Sequence, residues 1–342
     1  RLAAGDAEGA RADADRAFEI APDSSIVLLA MGEVSFGAGR YREALGFFAE
    51  ATTRQPDLAV AWHRQARAQL ALGDRDAARV ALERALELQP NLLVASAQLA
   101  LLDSGEGNTD AALSRVRGLK TAFPDRAAPE VLEGEILMQT EDYAGAAAAF
   151  ERGYAIEPSA NVAIRTYQAY VLAEEENAGL LENWLASHPD DARVRAVYSE
   201  YKRKSEDDNA AIAELEKAVA SDPDNEVALN NLAYLLHQQG DARAEELARR
   251  AVALRPELPQ IQDTLGWILV GNGQLEEGLE ILEAAHAAAP EEGDIAYHLA
   301  VALARSGDSA RSGEILRELL AGDRTFASRA DAERLLEELG GR

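Results

Sequence analysis

Residues 79–91 read RVALERALELQPN, with Ala81, Leu82, Ala85 and Leu86 at helical spacing between charged positions, and a proline closing the run. The same pattern returns in EALGFFAEATTRQPD (43–57), AIAELEKAVASDPDN (211–225) and EEGLEILEAAHAAAPEE (276–292). Each stretch predicts an amphipathic helix that ends where the proline removes a backbone donor. The prolines themselves form a ruler. Pro22, Pro56, Pro90, Pro124, Pro158, Pro189, Pro223, Pro256 and Pro290 follow one another at intervals of 34, 34, 34, 34, 31, 34, 33 and 34 residues. Only Pro129 and Pro259 stand outside the series.

With position 1 set at the third residue after each of these prolines, the interior of the unit repeats as well. Position 8 is Gly32, Ala66, Ala100, Gly134, Gln168, Ser199, Ala233, Gly266 and Ala300. Position 20 is small in most units: Ala44, Ala78, Ala112, Ala146, Ala211, Ala244, Gly278 and Ser312. Small residues at two such places let paired helix axes approach closely. Larger side chains at position 24 (Phe48, Leu82, Phe150, Leu215, Leu282, Leu316) fill the adjoining layer. Gly39, Gly73, Gly107, Gly240, Gly273 and Gly307 occupy position 15, where a helix C-terminus favours a left-handed residue. Asp74, Asp142, Asp241 and Asp308 come next, as caps for the second helix, and Asp23, Asp57, Asn91, Asp125, Ser159, Asp190 and Asp224 are expected to open the following unit.

This all-α pattern resembles the tetratricopeptide repeat (TPR) family, whose unit is a helix–turn–helix of 34 residues, and the resemblance covers essentially the whole chain. It implies a single TPR solenoid over residues 1–342, a right-handed superhelix of about nine full repeats with a truncated first repeat and a C-terminal capping helix. Counting back from Pro22 puts Gly5 at position 15, Ala10 at 20 and Ala17 at 27. The expectation is therefore a fragment that starts at the second helix of a repeat, with more repeats or a targeting region upstream. ASRADAERLLEELGGR (327–342) is expected to be the capping helix. The repeat at 161–188 departs from the pattern: it is three residues short, carries Gln168 at position 8, and has Glu174–Asn177 in its turn. It is either a drifted repeat with a local kink or a hinge between sub-arrays 1–188 and 189–342.

Composition narrows the reading. Apolar residues make up 47%, yet there are only 7 Phe, 9 Tyr and 3 Trp, so alanine and leucine carry the packing, which suits helices. No apolar stretch is long enough for a membrane-spanning helix. The absence of cysteine excludes disulfides, thiolate metal sites and cysteine nucleophiles. With 60 acidic against 34 basic residues the formal charge is −26, which repels phosphate backbones and makes nucleic acid an unfavourable partner. Such acidity solubilises an elongated surface, and it also suits a basic protein partner.

No catalytic, cofactor-binding or metal-ligating set emerges. GEGN (105–108) and GNGQ (271–274) follow helices, so they are turn glycines and not phosphate loops. Ser199-Glu-Tyr-Lys202 spells SxxK, and Tyr198 precedes Lys202 by four residues, but both sit within a first helix and lack the context those motifs need. His63, His188, His237, His286 and His298 fall in different repeats without an i, i+4 pair.

What remains is surface. The resemblance implies that first helices line an inner face through positions 2, 5, 9, 12 and 13. In the last three full units these are Asn230, Tyr234, His237 and Gln238, then Asp263, Trp267 and Val270, then Tyr297 and Arg305. Rings beside amides suit an extended protein or peptide ligand, with Asn230, Tyr234, His237, Asp263, Trp267 and Tyr297 as the expected groove. Upstream, His63, Arg67, Arg165, Arg193, Arg203 and Lys204 form a secondary basic lining, fit either to hold a carboxylate or acidic polymer or simply to balance Glu33, Glu135 and Glu200.

ALNNLAYLL (228–236), DTLGWILVGNGQLEEGLEIL (263–282) and YHLAVALARSGD (297–308) resemble the C-terminal repeats of TPR lipoproteins from bacterial PEP-CTERM/exosortase and exopolysaccharide systems. That resemblance implies a non-enzymatic interaction scaffold, periplasmic or anchored to the outer membrane, that assists assembly or export of an exopolysaccharide or its associated surface proteins. The rival readings are a cytoplasmic adaptor or co-chaperone holding a peptide in its groove, and the targeting array of a larger enzyme whose catalytic domain lies upstream.

Overall fold

A computed structural model describes residues 6–205, 207–322 and 325–340. Gly5 and tail residues 341–342 lie outside them. All regular structure among the described residues is α-helical, and the chain divides into two compact units, Arg1–Asn177 and Ala178–Arg342. The first holds α1 (Ala7–Ile20), α2 (Ser25–Gly37), α3 (Tyr41–Arg54), α4 (Ala59–Ala71), α5 (Arg75–Leu88), α6 (Leu93–Gly105), α7 (Thr109–Ala122), α8 (Ala128–Gln139), α9 (Tyr143–Ile156) and α10 (Ala160–Leu172). The second holds α11 (Gly179–Ser187), α12 (Ala192–Lys204), α13 (Asp208–Ser221), α14 (Glu226–Gln238), α15 (Arg243–Leu254), α16 (Pro259–Gly271), α17 (Leu275–Ala288), α18 (Gly293–Ser306), α19 (Ser309–Leu320) and α20 (Arg329–Gly340). No helix among the described residues is long and apolar enough to cross a membrane.

Within each repeat the two helices meet where the small residues stand. A Cβ built on Gly134 would lie 2.4 Å from Phe150 Cε1, and one on Gly266 would lie 2.7 Å from Leu282 Cγ. Positions 8 and 24 therefore touch each other directly across the helix pair. Ala66, Ala100 and Ala300 lie fully buried in the same place, as do Leu82, Val116 and Leu316 opposite them. The polar members of these rows are satisfied locally: Ser312 Oγ donates to Ala300 O at 2.7 Å, and Ser199 Oγ to Ala196 O at 2.6 Å.

The turn glycines behave as position 15 requires, since all six have φ between 72° and 94°. Glu141 takes the same left-handed conformation at φ 63° in the fourth repeat, and Glu174 does so at φ 58°. Asp74, Asp142 and Asp308 cap the second helices by accepting from backbone N–H groups three residues on. Asp241 instead accepts from Arg243 N, two residues on, and α15 starts late. That repeat is one residue short, and the slack is taken up in this turn.

Two expectations need correction. Apart from Ser159, the residues directly after the prolines do not cap the first helices; caps fall later, as with Asp191 on Val194 N and Asn225 on Ala228 N. The proline and its successor make the turn, so the capping place comes after them. In the irregular repeat α10 begins one residue early, and Gln168 is exposed, whereas Tyr167, 4% exposed, takes the packed place. A shift of one residue turns a helix by about 100°, enough to exchange the inward and outward side chains.

Buried charge is paired. Asp103, 3% exposed on α6, accepts from Arg79 Nη1 and Arg115 Nε, both at 2.7 Å. Burial alone would push this carboxyl up, but the hydrogen bonds from Arg115 and Arg79 outweigh it and hold the group below the usual range.

Candidate functional site

In the second unit the first helices α12, α14 and α16 border a cavity of about 330 Å³. Glu200 and Arg203 line it from α12, Asn230, Asn231 and Tyr234 from α14, and Thr264 from α16. Asn230 and Tyr234 stand one helical turn apart and so share a face. Asn230 Nδ2 donates to Asn231 Oδ1 at 3.4 Å, while Asn230 Oδ1 is buried with no hydrogen-bond partner among the described residues. Tyr234 is 36% exposed, an unusual position for a ring that has core on its own helix to join. Desolvation raises the Glu200 carboxyl on the exposed cavity wall, and Arg203 and Lys204 pull the other way without offsetting it.

A second group lies on α16 and α18. His298 Nδ1 is 2.9 Å from both carboxylate oxygens of Asp263. The Trp267 ring stacks on His298 with centroids 4.2 Å apart and planes at 20°, and Tyr297 lies 6.4 Å from the indole. Trp267 and Tyr297 are half-buried, and Tyr297 also packs against the cluster of Ala296, Ala300 and Leu316, so the rings form a preset surface at the edge of the core. Asp263 fixes the imidazole from the neighbouring repeat, and the imidazole in turn fixes the indole.

Of the six residues expected in the groove, the structure brings Asn230 and Tyr234 together at the cavity, and Asp263, Trp267 and Tyr297 together beside His298. His237 belongs to neither group. Its ring packs against Gly271, where a Cβ would lie 2.5 Å from His237 Cε1, and burial lowers its pKa. Arg203, expected in the upstream basic lining, shares the cavity with Asn230 and Tyr234. Sequence reasoning missed Asn231, Thr264 and His298. For His298 a signal existed: Asp263 and His298 are separated by one repeat plus one residue, and Ser104 and Gln139 meet across the same interval.

In the first unit His63 and Arg67 border a separate cavity of about 590 Å³ with Arg64, Val60, Val94 and Gln98. Burial, followed by Arg67 and Arg64, lowers the His63 pKa to about 4, so the ring is neutral near pH 7. Arg64 pairs with Glu33, Arg67 Nη1 lies 3.2 Å from the same carboxylate, and the Arg67 guanidinium sits 4.5 Å above the Phe36 ring. Arg165 Nη1 lies 2.5 Å from Glu135. Arg193 is exposed on α12. Arg64, Arg67 and Arg165 are thus engaged by the carboxylates of Glu33 and Glu135.

The tetratricopeptide repeat family matches residues 1–70, 35–102 and 269–339, and a second tetratricopeptide repeat description matches 214–246. A TPR repeat-containing protein of Pseudomonas aeruginosa is 26% identical over 182 residues, which cover 50% of this chain and 30% of that protein. The chain thus spans about a third of the length of that relative. Among solved structures, the human IFIT1 dimer with PPP-AAAA aligns at a TM-score of 0.51 and 15% identity, covering 81% of this chain and 70% of the other. The APC/C hetero-tetramer Cut9-Hcn1 aligns at 0.46 and 18% identity over 78% of this chain and 46% of the other. At such identity the likeness concerns fold alone. Helix pairs repeat at the period of the prolines, their small residues meet where the period places them, and the family matches in both units: the chain belongs to the tetratricopeptide repeat family.

Proposed function

We propose that this chain is a non-enzymatic scaffold that holds an extended segment of a protein partner along the first helices of its second unit. Tetratricopeptide arrays generally mediate protein–protein interaction, and the observation that carries the reading here is Trp267. This indole is half-buried at the surface and stacked on His298, which Asp263 holds in turn, as an interface anchor is held. Tyr297 beside it and Tyr234 with Asn230 on α14 extend the same kind of surface. A photo-crosslinking residue at Tyr234 should capture the partner, whereas the same residue at Leu254, exposed on the second helix α15, should not. Equal capture at both places would remove the reading.

We place the scaffold in the bacterial envelope, where it assists assembly or export of an exopolysaccharide or its surface proteins. The support is the likeness of 228–236, 263–282 and 297–308 to repeats of PEP-CTERM/exosortase lipoproteins. Fractionation of the source cells should recover the protein with membranes or periplasm; recovery in the cytoplasm alone would leave the cytoplasmic adaptor.

A further inference from the structure

The cavity between α12, α14 and α16 holds two acceptors that the chain leaves unmet. Asn230 Oδ1 is buried without a partner, because the amide's donor side is turned toward Asn231. Leaving a buried acceptor empty is costly, so such an atom is kept where something else meets it. Glu200, exposed on the cavity wall, makes no ion pair among the described residues. Arg203 lines the same cavity, but it and Lys204 act on Glu200 without a hydrogen bond to it, and their attraction does not offset the desolvation of its carboxyl. Tyr234 adds a ring face at the same opening. A neutral acceptor, an undercompensated carboxylate and a ring together match one kind of group: a cation with several N–H donors on an apolar stem.

We propose that this cavity receives a lysine or arginine side chain of the partner segment, with Glu200 as its counter-ion, Asn230 Oδ1 as its second acceptor and Tyr234 against its stem. This rests on the scaffold reading above and adds the partner's chemistry. The volume of about 330 Å³ accommodates one long side chain and the backbone that carries it. The formal charge of −26 favours the approach of a basic segment, and the cavity selects where its cation stops.

The test uses the full chain and defined probes: capped alanine pentapeptides with a central lysine, arginine, norleucine or glutamate. Binding is followed by the shifts of the Asn230 and Asn231 side-chain amides in an isotope-labelled NMR spectrum, with Asn231 as the reporter in the Asn230→Ala variant. The lysine and arginine peptides should shift that signal at concentrations where norleucine and glutamate peptides do not. Glu200→Gln, which keeps shape and removes charge, should weaken the cationic peptides at least tenfold, and Asn230→Ala should weaken them with helicity unchanged. Equal response to norleucine or glutamate would overturn the proposal, as would a Glu200→Gln protein that binds like the parent. Because these probes need no native partner, the result is separate from photo-capture at Tyr234: either reading can fail while the other stands.

Discussion

Gly32 and Phe48 occupy one space: a Cβ on Gly32 would lie 2.3 Å from Phe48 Cε1 and 2.6 Å from Cδ1. The relation recurs with Gly134 and Phe150, whereas Ala66 faces Leu82 and Ala300 faces Leu316. In these four pairs glycine stands opposite phenylalanine and alanine opposite leucine, so summed volume is kept; Gly266 opposite Leu282 and Ala100 opposite Val116 depart from that match.

Gly32→Ala should therefore destabilise the first unit by about 1–3 kcal/mol, the usual cost of overpacking. Adding Phe48→Leu should restore part of that loss, because the double variant recreates the Ala66–Leu82 arrangement. A denaturation double-mutant cycle reads the coupling. Strictly additive losses would show that the two positions do not share space.

The left-handed turn at Glu141 offers the opposite sign. Its φ of 63° is the conformation that glycine supplies at the other turns, and a side chain there costs about 1–2 kcal/mol. Glu141→Gly should raise the stability of the first unit by about 1 kcal/mol after the added chain entropy of glycine is subtracted. A neutral or destabilising outcome in equilibrium denaturation would mean that the glutamate has a compensating contact.

Stability of the first unit should fall on mild acidification because of His63. Its folded pKa is depressed to about 4 from 6.5, so the unfolded chain takes up the proton first. Stability is full above about pH 6.5 and is lost as the pH falls toward 4, by up to about 2–3 kcal/mol. Glu33, Arg64 and Arg67 are the charged groups that face the ring, and a carboxylate held low by its arginines, such as Asp103, responds only below that window. His63→Gln should flatten the slope of melting temperature between pH 7 and pH 5. An unchanged slope would place the titration elsewhere.

The fold was legible because period, small-residue rows and turn glycines each report the same unit, and the Gly266–Leu282 contact lies where positions 8 and 24 put it. Helix starts were less legible. Asp190 and Asp191 are equally good capping residues by type, and only the turn made by the preceding proline decides between them. The site was half legible. Position within a repeat indicates which side chains leave the core, so Asn230, Tyr234 and Trp267 could be named. It does not say what a neighbouring repeat places beside them. His237 and Trp267 both sit on the expected face, but Gly271 opens a hollow that draws His237 in, and His298 supports Trp267 from outside its own repeat.

Trp267 depends on its support. His298→Ala should leave the overall fold intact while releasing the indole, since the ring loses its stacked neighbour and Asp263 its partner. Tryptophan fluorescence anisotropy should fall relative to the parent, with Trp62 and Trp184 replaced by phenylalanine so that Trp267 alone reports. An unchanged anisotropy would mean that α16 itself holds the ring.

The most direct measurement is the affinity of the crosslinked partner for the parent and for the double variant Tyr234→Ala, Trp267→Ala at matched helicity. Anchors of this kind contribute about 2 kcal/mol or more each, so the dissociation constant should rise at least about tenfold. Glu200→Gln should raise it further, whereas replacing exposed Val80 on α5 should not. Equal affinity of the parent and the double variant would contradict the account and put the binding surface outside the first helices of the second unit.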